Sequence, residues 1–163
     1  QLEQGSLAID FPLNAVEALV VTHCHIDHVG RIPYLLAAGF DKPIYATEAT
    51  AQLLPLVIED AIKVGISRDQ NLINTVLGRL STLLKPLPYD LWFNLTESSV
   101  AKCRFRMAGH ILGSAYLEFE LGSERVVFSG DLGAPYSPLL SAPKAPYKAD
   151  CLVIESTYVD YCI

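Results

Sequence analysis

The sequence is short of basic residues, of methionine and tryptophan, and of any long apolar run, although about half of it is hydrophobic. Its 163 residues hold 12 lysines and arginines against 18 aspartates and glutamates, for a formal net charge of -6, with one methionine and one tryptophan. The basic deficit argues against non-specific binding of phosphate chains, which is driven by lysine and arginine. It does not exclude a nucleic-acid enzyme in which a metal ion supplies positive charge locally. No apolar stretch approaches the roughly 18 residues that a membrane-spanning helix requires; the longest, residues 32–40, is far too short. The opening Gln1-Leu2-Glu3-Gln4 lacks a methionine, a basic region and an apolar core, so no signal peptide is recognised, and a processed chain or a fragment is expected. The cysteines Cys24, Cys103, Cys151 and Cys162 form no Cys-x-x-Cys pair, which excludes a zinc ribbon or a thioredoxin motif. They are expected to be reduced thiols of a cytoplasmic protein. At 51% hydrophobic the chain is not disordered, and its length suits one globular domain or a piece of a larger one.

Along the chain, strands alternate with helices. Residues 16–21, apolar but for Glu17 and rich in β-branched valine, read as a buried strand and run into a polar cluster at residues 22–28. Residues 32–38 read as a short helix closed by Gly39, and residues 43–46 as a short strand. Thr47 is suited to cap the next helix, with Glu48 in its first turn, and Pro55 is expected to kink or restart that helix. Ser67 and Gln70 form a capping-box pattern. Behind them Leu72, Ile73, Val76, Leu77, Leu80, Leu83 and Leu84 recur at helical spacing, a core-facing stripe ending before Pro86.

The second half changes period. Ala101, Cys103, Phe105 and Met107 alternate with Lys102, Arg104 and Arg106, giving a strand with one buried face. Leu117, Phe119 and Leu121 alternate with Tyr116, Glu118 and Glu120 in the same way, and Gly122-Ser123-Glu124 turns the chain into a strand at residues 125–129. A Pro- and Ser-rich loop at residues 135–146 precedes a last buried strand at residues 151–154. The combination predicts a mixed sheet in a layered α/β fold.

The chemistry concentrates in His23-Cys24-His25-Ile26-Asp27-His28. Three of the four histidines of the chain fall within six residues, directly after a buried strand. A lone histidine is ordinarily a structural residue; three in one turn with an aspartate point to metal, because imidazole nitrogen and carboxylate oxygen are the donors that Zn²⁺ and related ions take. The i, i+2 spacing of His23 and His25 lets one turn aim both rings at a single ion, and Asp27 and His28 can reach a second. His110, in Gly109-His110-Ile111-Leu112-Gly113-Ser114-Ala115, and Asp131, in Ser129-Gly130-Asp131-Leu132-Gly133, each follow a strand, as a ligand would. Read alone, Asp131 is also a good turn residue.

These motifs together resemble a known family. His23-x-His25-x-Asp27-His28 resembles the signature of metallo-β-lactamase-fold hydrolases. The segments around His110 and Asp131, with Glu155-Ser156-Thr157-Tyr158, are similar to the β-CASP branch, the RNA-processing nucleases related to the mRNA 3′-end cleavage endonuclease. The resemblance covers residues 16–158 and implies a metallo-β-lactamase-like αββα sandwich. It also implies that His23, His25 and His110 hold one zinc ion, that Asp27 and His28 hold a second, and that Asp131 bridges them. Asp27, Asp131 and Glu155 become the acidic residues of the reaction, with Glu155 orienting a histidine. The implied activity is hydrolysis of phosphodiester bonds in single-stranded RNA by a hydroxide held between two metal ions.

The family begins with earlier strands that carry an Asp motif, and its β-CASP cap and two later histidine motifs follow the position of Glu155. Against that pattern the chain is expected to be a partial metallo-β-lactamase-fold domain spanning residues 1–163, without first strands, C-terminal part or cap. It is then expected to be a weak or inactive nuclease by itself and to self-associate through exposed strand edges. Two other readings stay open. One is a hydrolase of a small ester, thioester, lactone or lactam; the other is a non-catalytic fragment that binds metal or a partner.

Overall fold

The computed structural model describes residues 9–97 and 99–156. The chain divides into two compact units, Gln1–Leu87 and Pro88–Ile163. Each carries its own sheet, and the first also carries the helices, so the α/β class holds. Among the described residues, no helix is long and apolar enough to cross a membrane.

The first unit is built on a parallel sheet in the order β1-β2-β3, with β1 at Leu19–Val20, β2 at Ile44–Thr47 and β3 at Leu84–Leu87. Strand β1 is shorter than the apolar run at residues 16–21 predicts. Only Leu19 and Val20 lie in register, opposite Ile44 and Tyr45, because a 3-10 turn at Leu13–Ala15 occupies the approach and Val16 N–H bonds to Leu13. After β1 come two short helices, α1 at Ile26–Val29 and α2 at Ile32–Ala37. Gly39 ends α2 as expected. At φ +101° it takes the left-handed conformation, its N–H bonds to Leu36 O, and the N–H of the buried Phe40 reaches back to Leu35 O. This is the double hydrogen bond of a Schellman cap.

Helix α3, Glu48–Gly65, starts where Thr47 Oγ1 accepts the Thr50 N–H at 3.3 Å. It continues through Pro55 without the restart that the sequence allows there. The missing hydrogen bond and ring clash cost about 3 kcal/mol. Leu54, Ile58 and Ile62 are each 0% exposed on the same helix face, and burial of each is worth roughly 1.5–3 kcal/mol, so packing on both sides of the proline outweighs it.

Helix α4, Gln70–Leu83, is capped by Asp69, whose carboxylate accepts the Asn71 N–H at 2.9 Å. The capping box expected of Ser67 and Gln70 does not form. The helix begins after Asp69, so Ser67 Oγ accepts the Asp69 N–H and Gln70 turns to Asn74 instead. The apolar stripe faces the core at Ile73 and Leu80, while Leu72 lies exposed at its margin. The chain then enters β3, which the sequence hides because it contains Pro86. Proline is tolerated there because β3 lies at the sheet edge, β2 being its one neighbour among the described residues.

The second unit is a five-stranded sheet in the order β4-β5-β6-β7-β8. Strand β4 is Phe93–Asn94, β5 Ala101–Met107, β6 Ala115–Leu121, β7 Glu124–Phe128 and β8 Cys151–Val153. Strands β5 and β6 pair antiparallel from Ala101↔Leu121 to Met107↔Ala115, and Cys103 and Phe105 are fully buried, as their alternation predicts. Burial pushes the Cys103 thiol up to about 12. The β6–β7 hairpin turns at Gly122, φ +64°.

Two expectations for this sheet are corrected. Tyr116 and Glu118 were assigned to a solvent face of β6, but they are 3% and 1% exposed. Glu118 lies 2.5 Å from Arg104, which stands opposite it on β5 and packs over Trp92, and the Tyr116 hydroxyl donates to Lys144 O of the loop that crosses above. The charge is buried because it is paired. Conversely, β8 is not a buried strand: Cys151, Leu152 and Val153 are all exposed, since among the described residues β8 pairs with β7 alone and ends the sheet.

Truncating Ile58 tests the account of α3. Ile58→Ala is expected to lower unfolding stability by about 2–5 kcal/mol in denaturant melts, the cost of a cavity in a fully buried site. A loss under about 0.5 kcal/mol would show that α3 is not held by this face.

Candidate metal centre

In the first unit, β1 delivers the chain into a tight reversal. His23 and Cys24 are buried directly after the strand, His25 is the N-cap of α1, and Asp27 and His28 lie within that helix. The one-turn helix was not foreseen in the polar cluster; four residues are too few to establish a helical period. Its effect is to place His28 back against His23, with ring centroids 4.1 Å apart, while His25 meets His23 edge-on at 4.8 Å. His23 Nε2 lies 3.2 Å from His25 Nδ1, and His23 Nδ1 lies 3.2 Å from Thr22 Oγ1. Asp27 and His28 approach each other at 3.4 Å, the carboxylate largely exposed. Cys24 sits between two of the histidines, but burial pushes its thiol above the usual range and it packs as a small core side chain.

In the second unit, His110 follows β5 and Asp131 follows β7. His110 Nε2 lies 3.4 Å from Asp131 Oδ2, both side chains part-buried. Their two loops are joined main chain to main chain: the Gly133 N–H bonds to Ala108 O at 2.8 Å. The contact is so close that a Cβ on Gly133 would overlap the Gly109 carbonyl and stand 2.7 Å from His110 N. Gly109 itself turns at φ +69°. Glu155 braces the same loop, its Oε1 accepting the Leu132 N–H at 2.7 Å, and its own N–H is held by Ser129 Oγ at 2.9 Å. Residues 157 and 158 of the motif that begins at Glu155 lie outside the described residues.

Thus His23, His25, Asp27 and His28 gather in one unit, and His110, Asp131 and Glu155 in the other. The donors fit a metal ion by type and by disposition. Two imidazole nitrogens 3.2 Å apart, and an imidazole nitrogen 3.4 Å from a carboxylate oxygen, are donor pairs spaced as neighbouring ligands of one ion are. The residues that brace these loops, the buried Ser114 and Ser129 and the part-buried Gly133, stand out in the sequence only as parts of the two motifs. Their signal is a small residue at a fixed offset from each candidate ligand.

A family model described as the metallo-beta-lactamase superfamily matches residues 2–153. The chain belongs to that superfamily. Among curated relatives it is 39% identical over 155 residues to "Ribonuclease TTHA0252" of Thermus thermophilus, covering 92% of this chain and 34% of that protein. It is 31% identical over 157 residues to "Transcription termination factor FttA" of Methanococcus maripaludis, covering 94% of this chain and 25% of the relative. It is also 31% identical over 148 residues to "Cleavage and polyadenylation specificity factor subunit 3-II" of Arabidopsis thaliana, covering 89% and 24%. The chain therefore spans about a quarter to a third of the length of these relatives.

The close approach of Gly133 to Gly109 is testable. Gly133→Ala is expected to destabilise the protein by at least about 3 kcal/mol, beyond ordinary overpacking, because the clash is with main chain that cannot rotate away. A thermal melt within two or three degrees of wild type, roughly the shift of a loss of about 1 kcal/mol or less, would contradict the contact.

Proposed function

We propose that this chain carries the catalytic centre of a zinc-dependent ribonuclease of the β-CASP type, acting on phosphodiester bonds of single-stranded RNA in the cytoplasm. The observation that carries the proposal is the convergence of the His23 and His25 ring nitrogens at the end of β1. It occurs in a superfamily member whose relatives are named as a ribonuclease, a transcription termination factor and a cleavage and polyadenylation subunit.

In this reading His23, His25 and His110 hold one zinc ion, Asp27 and His28 hold the second, and Asp131 bridges the two. Bound there, the ions would supply acidified water for attack at phosphorus and positive charge to offset that growing on the phosphoryl oxygens. The protein's own part is positioning. Neutral imidazoles present lone pairs, and the Asp27 and Asp131 carboxylates add negative charge. Glu155 holds the main chain next to Asp131 through the Leu132 N–H, and its orienting of a histidine belongs to the same reading. A chain of net charge -6 then meets a polyanion through metal rather than through lysine and arginine.

The test is metal content and turnover together. In a full-length protein of the relatives' kind about two zinc ions are expected to be retained, and this chain by itself is expected to cleave RNA weakly or not at all. His23→Ala and Asp131→Ala should lower zinc affinity and turnover of labelled RNA by at least the roughly 10–100-fold that loss of an outer partner of a ligand costs. Nitrocefin and thioesters should not turn over. Cleavage of the small substrates alone would sink the RNA assignment, and an unaltered metal content in both variants would sink the ligand set.

Self-association belongs to the same proposal. Among the described residues β8 ends its sheet, with Leu152 and Val153 half-exposed, and such an edge offers backbone for pairing beside apolar side chains. Light scattering is expected to show dimers or larger species, and a stable monomer across a wide concentration range would contradict this.

A further inference from the structure

The hydroxyl of Ser114 lies between β5 and β6 at the closure of the His110 loop. Ser114 is 1% exposed. Its Oγ accepts two main-chain hydrogen bonds, from His110 N–H at 3.0 Å and from Ile111 N–H at 3.1 Å. Its N–H bonds to Ile111 O at 3.0 Å, and its carbonyl oxygen accepts both the Ala108 N–H, at 3.2 Å, and the Tyr89 hydroxyl, at 2.9 Å. One residue thus ties down the start, middle and end of a loop whose flanking glycines, Gly109 at φ +69° and Gly113 at φ +85°, give it little stiffness of its own. Nothing in the donor chemistry of His110 requires a serine four residues later; the geometry does.

We propose that Ser114 is the positioning residue for His110: its buried hydroxyl, by accepting the His110 and Ile111 N–H groups, fixes the main chain from which the imidazole reaches Asp131. This rests on the metal-ligand reading of His110. The side chain of His110 can only present Nε2 beside Asp131 Oδ2, 3.4 Å away, if its Cα is held. The Asp131 loop is already fastened by the Gly133 N–H and by Glu155. Ser114 supplies the matching restraint on the histidine side. An alanine there leaves two part-buried N–H groups without their acceptor and frees the loop to shift. The effect reaches the metal through His110, in the manner of the outer partners that orient metal ligands.

The experiment compares wild type, Ser114→Ala and His110→Ala in the full chain, with zinc alone competed against a chelator of known affinity. Three readouts accompany it: thermal melting of the metal-free protein, the visible spectrum of bound Co²⁺, and amide hydrogen exchange of the wild type. His110→Ala is expected to weaken binding strongly. Ser114→Ala is expected to weaken it by roughly 10–100-fold and to alter the Co²⁺ spectrum, while the metal-free protein still melts cooperatively, several degrees lower for the lost acceptor. If His110→Ala weakens zinc binding and Ser114→Ala leaves affinity and spectrum unchanged, Ser114 is not a positioning residue. If neither variant changes affinity, the metal-ligand reading of His110 itself is wrong, a separate outcome. Should Ser114→Ala fail to fold, the wild-type amides decide: slow exchange at His110 and Ile111 supports the proposal, and exchange at the rate of open loop amides overturns it.

Discussion

Three imidazole rings packed on one another at the end of a two-residue strand form the arrangement around which the first unit is organised. A buried imidazole is costly unless its nitrogens have partners. His23, 0% exposed, meets that condition with Thr22 Oγ1 on one side of the ring and His25 Nδ1 on the other. The short parallel pairing of β1 with β2 sets where the reversal begins, and α1 sets how His28 returns. The helices behind the sheet serve this geometry at a distance. The packing of α3 through Leu54, Ile58 and Ile62 is strong enough to carry a proline in mid-helix. The Arg79 side chain of α4 bonds to Phe40 O at the end of α2.

The second unit reaches a comparable result by other means. Its candidate ligands stand on loops that follow strands, and such loops lack the ladder of hydrogen bonds that stiffens a sheet. Rigidity comes from side chains that bond to main chain: Ser114 to the His110 loop, Ser129 to Gly130 and Glu155, Glu155 to Leu132. The glycines at positions 109 and 133 add a main-chain contact that no side chain would permit. The Arg104–Glu118 pair serves the sheet itself, matching the buried Glu118 with a part-buried cross-strand arginine that packs over Trp92.

What could be read from the sequence follows the range of the interactions involved. The alternation at Ala101, Cys103, Phe105 and Met107 is a period-2 signal, and it located β5 to the residue. The Thr47 cap, the Gly39 stop and the stripe on α4 are likewise local, each decided within a turn or two of chain. The readings that failed concern contacts from elsewhere. Glu118 looks solvent-facing until Arg104 is placed opposite it, and residues 151–154 look buried until β8 is found at the sheet edge. Pro86 looks incompatible with a strand until β3 proves to be an edge among the described residues, and a restart at Pro55 looks as good as a continuous helix until the packing around α3 is known. Strands β3 and β4 and helix α1 have four residues or fewer, too short for any period to be visible.

The sequence by itself determined the inventory of donors and their grouping: three histidines and an aspartate within residues 23–28, and His110 and Asp131 each beside glycine in a loop after a strand. It also carried the resemblance to metallo-β-lactamase-fold hydrolases, because those motifs are short and contiguous. Only the tertiary structure decided that His28 folds back on His23, that His110 meets Asp131, and that Ser114, Gly133 and Glu155 hold the loops in which they lie. The physical reason is that a donor's identity is a property of one residue. The direction in which its lone pair points is set by main-chain hydrogen bonds and close contacts made up to 26 residues away.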